Sequence, residues 1–205
     1  MSIEALSYYL GLGFFHGLNP AMGWLFAVAL ALQHNSLRWI GRAVIALGVG
    51  HFLSIFCLCA VFILLGRTLP QVWVKGLCVS ALFGFGGYWL FRARHPRWVG
   101  MNVGLAELVG WSFLMASAHG AGLMLVAGSS LCGKSFLPLP VQWDSLKLFF
   151  YPSVIHSIGY FFTVSILATL VFRADLLGLL YRKWINFDIL WAISLFLAGI
   201  GTILA

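Results

Sequence analysis

The stretch FFHGLNPAMGWLFAVA, Phe14 to Ala29, sets a histidine, an asparagine and a proline inside an otherwise oily segment. If the segment lies in a membrane, a strongly coordinating side chain at hydrocarbon depth is costly and marks a functional site. The rest of the chain settles whether a membrane is the solvent.

Of 205 residues, 62% are hydrophobic and 8% charged, with mean hydropathy +1.00, whereas a soluble domain uses roughly 25% charged residues. Apolar stretches run from Leu6 to Leu32, Ala43 to Gly66, Val72 to Phe91, Met101 to Gly128, Leu148 to Phe172 and Ile185 to Ala205. Each is long enough to cross a ~30 Å hydrocarbon core as a helix. The pattern predicts an all-α integral membrane protein of six transmembrane helices in a single membrane domain, residues 1–205. The first stretch has neither the basic n-region nor the A-x-A site of a signal peptide and is read as retained.

The formal net charge of +7 reads as topology rather than as affinity for nucleic acid. Arg38, Arg42, Arg92, Arg94, Arg97, Arg173, Arg182 and Lys183 fall between spans one and two, three and four, and five and six; Arg67, Lys75, Lys134 and Lys147 fall on the other side. Positive residues favour the cytoplasmic face, which puts both termini outside the cytoplasm. Cys57, Cys59, Cys78 and Cys132 form no C-x-x-C pair, so thiol redox chemistry has no paired dithiol.

Compared three against three, the spans read as an inverted repeat, about 5–93 and 101–205. HGLNPAMGWL at 16–25 faces HGAGLML at 119–125; GHFLSIFCLCAVFILLGR at 50–67 faces IHSIGYFFTVSILATLVFR at 155–173; LFGFGGYWL at 82–90 faces LAGIGTILA at 197–205. An odd number of spans per half inverts the second copy, and such transporters hold substrate near the midplane, between the halves.

His16, His51, His119 and His156 each lie near the centre of a span, whereas His34 and His95 fall in loops. Four imidazoles converging at one depth suit Zn, Ni, Co or Cu rather than hard Mg or Ca. Asn19, three residues after His16, shares its helix face and can offer an amide oxygen to the same ion. Pro20 removes an amide proton and crowds the His16 carbonyl, predicting a kinked or broken helix there. Met22 and Met115 are either flexible core side chains or soft thioethers for a copper site, Ser54 and Tyr160 are placed to orient imidazoles, and Glu107 is either an interfacial acid or a relay. Trp24, Trp98, Trp143 and Trp184 read as interface anchors.

The six inverted spans, HGLNP in the first and GHFLSI in the second, resemble the nickel/cobalt exporter group of the lysine-exporter superfamily. The resemblance covers the chain by architecture and His16, Gly17, Pro20 and His51 by motif. It implies a secondary transporter of the bacterial inner membrane, often for divalent metal. Where that group carries another histidine just after the proline, this chain has Ala21 and Met22.

Three functions compete. The first is a transporter of a transition-metal ion or metal-containing solute through a midplane site of His16, His51, His119, His156 and Asn19. The second is a membrane protein in which two imidazoles ligate haem. The third is a transporter or accessory subunit whose histidines handle protons or an organic substrate. An enzyme is not expected, since LCGKSFL at 131–137 lacks P-loop spacing and no nucleophile motif or carboxylate pair is found. A reporter active only in the cytoplasm, fused after Ala205, is expected to stay silent, and one active only outside the cytoplasm to work; the opposite pattern refutes the topology.

Overall fold

The computed structural model describes residues 3–92, 103–131, 144–174 and 187–204, so Arg94, His95, Arg97, Cys132, Lys134, Arg182 and Lys183 lie outside the described residues. The elements are α1 (Ile3–Leu18), a 3-10 turn (Pro20–Met22), α2 (Trp24–Gln33), α3 (Arg38–Thr68), α4 (Gln71–Arg92), α5 (Leu105–Ala118), α6 (Ala121–Leu131), α7 (Asp144–Arg173) and α8 (Phe187–Leu204).

Arg38–Gly66, Gln71–Phe91 and Phe150–Arg173 are long and apolar enough to cross a membrane; Leu105–Ala118 and Ala121–Ala127 pass the same test only as a pair, bent by 44°, which is either one broken span or a re-entrant loop. Large apolar side chains such as Ile45, Leu64, Phe91, Phe162, Leu170 and Leu197 point away from the protein core. Facing so much hydrocarbon to water is opposed by about 25 cal/mol per Å²; facing it to lipid is not. The chain is a helical membrane protein. At two places the apolar run is continuous in sequence but the helix is not.

The first break follows from NPAMG. A residue before proline is driven out of the helical region, and Asn19 is extended at φ −66°, ψ 121°. Its side-chain oxygen accepts from the Ala21 amide at 3.0 Å, capping the turn that Pro20 begins, where a missing N–H is harmless. Gly23, at φ +106°, then re-aims the chain into α2. The second break lies at His119–Gly120, where Gly120 has φ +67°, the left-handed conformation that commonly closes a helix. Sequence reading anticipates the proline break and misses the glycine one.

Glycines set how closely the remaining helices approach. α1 packs along α7, α3 along α5 and α4 along α8. A Cβ at Gly13 would strike the His156 carbonyl, one at Gly159 the Leu10 carbonyl, and one at Gly50 the Val109 carbonyl, so backbones meet directly, as small residues permit between membrane helices. Ser112 donates to the Leu47 carbonyl at 2.7 Å, and Ser54 and Ser117 share a hydrogen bond of 2.7 Å across the α3–α5 crossing. Gly13→Val or Gly159→Val is expected to lower the melting temperature of the purified protein by forcing α1 off α7, an overpacking cost of about 1–3 kcal/mol. Gly11→Ala, which meets nothing within 4 Å, serves as the control and is expected to be neutral.

Candidate histidine site

His16 ends α1 just before its break, His51 sits midway along α3 and His156 midway along α7. The glycine-mediated crossings press these helices together at that level. Ring centroids are 4.8 Å apart for His16 and His51, 5.4 Å for His16 and His156, and 5.3 Å for His51 and His156. All four membrane histidines are 0% exposed. Neither nitrogen of His16 or of His51 has a hydrogen-bond partner, and His156 lies by the Tyr9 backbone without completing one. Buried polar groups are overwhelmingly hydrogen-bonded in folded proteins, so this cluster of bare nitrogens is the most unusual chemical feature of the described structure.

Aromatic walls fix the rings. Tyr160 stacks flat on His51 at 3.9 Å, and the edge of His16 meets Trp191 at 4.4 Å. His51 and His156 are nearly parallel, at 13°, so side chains must turn before three nitrogens aim at one point. Among the described residues, no group of three or more His, Cys, Asp or Glu already stands as a metal cage.

The fourth histidine stands apart in its bonding. His119 caps α5, its Nδ1 donates to the Met115 carbonyl at 2.8 Å, and its ring stacks on Trp89 at 4.1 Å. Trp191 links it to His16, with centroids 4.4 Å from His16 and 5.7 Å from His119 and an indole N–H donating to the His119 carbonyl at 2.7 Å.

Several expected roles are taken by others. The Asn19 oxygen, expected to face a cation, accepts from the Ala21 amide in the 3-10 turn, and its Nδ2 has no partner. The His16 carbonyl accepts from the Asn19 amide at 3.3 Å. Tyr160 gives its hydroxyl to the Met22 carbonyl at 2.8 Å rather than to an imidazole, and Ser54 bonds Ser117. Glu107 is exposed and its Oε2 accepts from the Gly104 amide at 2.7 Å, an ordinary helix cap. Met22 and Met115 are buried core residues. Outside the core, His34 stacks on Trp39 at 3.8 Å.

Sequence reading missed the tryptophans. Trp24, expected at the interface, is buried and donates to the Leu18 carbonyl at 3.3 Å; Trp111 donates to Ala21 at 3.3 Å and Trp89 to Ala118 at 3.0 Å. Each serves a carbonyl orphaned by one of the two helix breaks. The signal available was positional, since each broken span needs donors that its own backbone no longer supplies.

No protein-family model, curated protein or solved structure matches the chain. Its function is therefore argued from its own residues. Trp191→Phe keeps a ring beside Phe15 and His16 but removes the donor to His119, leaving a buried carbonyl bare at a cost of about 1–3 kcal/mol. The expected result is a lowered melting temperature with insertion preserved; an unchanged melt denies the indole this role.

Proposed function

We propose that the protein is a secondary membrane transporter that passes a divalent transition-metal ion through the cluster of His16, His51 and His156. The single observation that carries this reading is the set of three buried imidazoles in mutual ring contact, with unused nitrogens at mid-span. Neutral imidazole is the commonest protein ligand for such ions.

The spacing fits a four-coordinate ion. With bonds of roughly 2.0–2.1 Å to each nitrogen and the ring's own radius added, each centroid stands about 3.2 Å from the ion, so tetrahedral angles separate centroids by about 5.2 Å and right angles by about 4.5 Å. The observed 5.4 and 5.3 Å agree with the tetrahedral value, and 4.8 Å lies between the two. The backbone scaffold thus suits a Zn-type ion, with ring rotation bringing nitrogens inward and a fourth position left for an exchangeable ligand. Glu4 and Glu107 both stand exposed, away from the cluster. Three neutral ligands with no counter-charge hold a dication weakly enough to let it leave, which suits passage better than storage.

Two inverted three-helix halves make the mechanism intelligible. In support, Phe83 meets Gly199 while Phe196 meets Gly86, each at 3.2 Å from the would-be Cβ, the reciprocal contact that a twofold axis produces. The α1–α7 crossing at Phe14 and Gly159 corresponds to the α3–α5 crossing at Ser117 and Ser54, the partners being related by the same offsets that relate His16 to His119 and His51 to His156. On this reading the protein spans the bacterial inner membrane six times with both termini outside the cytoplasm, as the resemblance to the nickel/cobalt exporter group implies. A haem held by two of these imidazoles is disfavoured, because Tyr160 and Trp191 fill the space beside His51 and His16.

The test is metal flux into proteoliposomes. Alanine at His16, His51 or His156 is expected to abolish flux with expression and insertion preserved, whereas His34→Ala and His95→Ala change it less than about twofold, as surface substitutions do. Full flux in the three membrane-histidine variants rejects the metal reading and favours proton or organic-solute handling.

A further inference from the structure

We propose that His51 and His156 are shared ligands, and that His16 and His119 alternate as the third, so that the protein contains two overlapping three-imidazole sites used in turn. The inference rests on the transporter reading above and extends it to a site that includes His119.

It begins from a broken symmetry. The offsets that match the two crossings exchange His51 with His156, and these two face each other at 5.3 Å and 13°. They exchange His16 with His119, yet those two residues differ. His16 touches both members of the central pair, at 4.8 and 5.4 Å. His119 is instead turned onto Trp89 and bonded through Nδ1 to its own helix at Met115. Sequence-equivalent side chains in inverted halves have equivalent options, so an asymmetric arrangement is one of a pair, and its mirror is reached by exchanging the conformations of the halves. In that mirror His119 completes the site and His16 withdraws.

The local geometry allows such an exchange. Both alternating histidines sit at a helix break, His16 before the NPAMG turn and His119 at the α5–α6 bend, whereas both shared ones sit within unbroken helices. Left-handed Gly23 and Gly120 flank the two breaks, where a few backbone torsions can absorb a large re-aiming of the chain. Trp191 touches His16 and also holds the His119 carbonyl, so one side chain senses both positions. An ion moved between His16 and His119 never leaves the central pair, which lowers the barrier to passage through hydrocarbon.

The decisive experiment uses purified, tag-free protein in detergent, loaded with Co²⁺ and read by visible absorption, since a four-coordinate site absorbs strongly and an octahedral one weakly. Wild type, His16→Ala and His119→Ala are each expected to bind Co²⁺ with strong bands and affinities within about tenfold of one another, because a three-imidazole site remains in each. His51→Ala and His156→Ala, and the double variant H16A/H119A, are expected to lose Co²⁺ affinity by more than about 100-fold. Transport is expected to fail in all of them, since passage needs both sites. Loss of Co²⁺ in His16→Ala with retention in His119→Ala overturns alternation and leaves a fixed triad and the metal reading intact. Failure of wild type to bind Co²⁺, Zn²⁺ or Ni²⁺ at all overturns the transporter reading and this inference together. Should the double variant fail to fold, His16→Ala alone decides, its folded state checked by circular dichroism.

Discussion

Every backbone carbonyl exposed by a broken helix in hydrocarbon must find a donor, and the protein is organised around that demand. Water is absent there, and each unsatisfied group costs several kcal/mol. The chain breaks two apolar helices and then answers the freed carbonyls with side chains, one from the adjoining α2 and four from distant helices. Trp24 serves Leu18, Trp111 serves Ala21, Tyr160 serves Met22, Trp89 serves Ala118 and Trp191 serves His119. Four of the five donors are indoles, whose single N–H suits an acceptor reached through an otherwise apolar contact. These bonds tie the two breaks to α4, α5, α7 and α8, so the breaks are braced rather than loose.

Bracing the breaks and crowding the helices are two parts of one design. The glycines at 13, 50 and 159 bring backbone to backbone, and that approach carries His51 and His156 to within ring contact. The aromatic donors then close the space around them. Tyr160 does both jobs, holding the Met22 carbonyl with its hydroxyl and the face of His51 with its ring. The cost of this arrangement is concentrated at the imidazole nitrogens of His16 and His51, which find no partner inside the protein. The backbone is capped thoroughly while these side-chain nitrogens stay bare, and that contrast is what the proposed metal ion would answer.

Much of this was legible in the residues alone. Composition and apolar run length dictate a helical membrane protein, because hydrocarbon thickness and backbone hydrogen bonding leave few other solutions. Pro20 after Asn19 announces the first break, since Pro20 has no N–H to give a helix and its ring crowds Asn19 out of the helical region. The depth of the four histidines singles them out because a coordinating side chain in lipid is costly wherever it points. These are local or compositional facts, readable from one segment at a time.

Tertiary structure alone decided which of those side chains meet. His16, His51, His119 and His156 look equivalent in sequence, yet only three are in mutual ring contact, because helix rotation and crossing position are set by where glycines let backbones touch. The Asn19 oxygen caps a turn because the Ala21 N–H stands two residues away once Pro20 has broken the helix. Gly120 broke a helix that its apolar neighbours would have continued, since glycine's left-handed option is used only when the surroundings reward it. Trp24, which reads as an interface anchor, is an internal donor for the same reason, while Trp98, Trp143 and Trp184 lie outside the described residues: the carbonyl that Trp24 serves is freed only once the helix has broken.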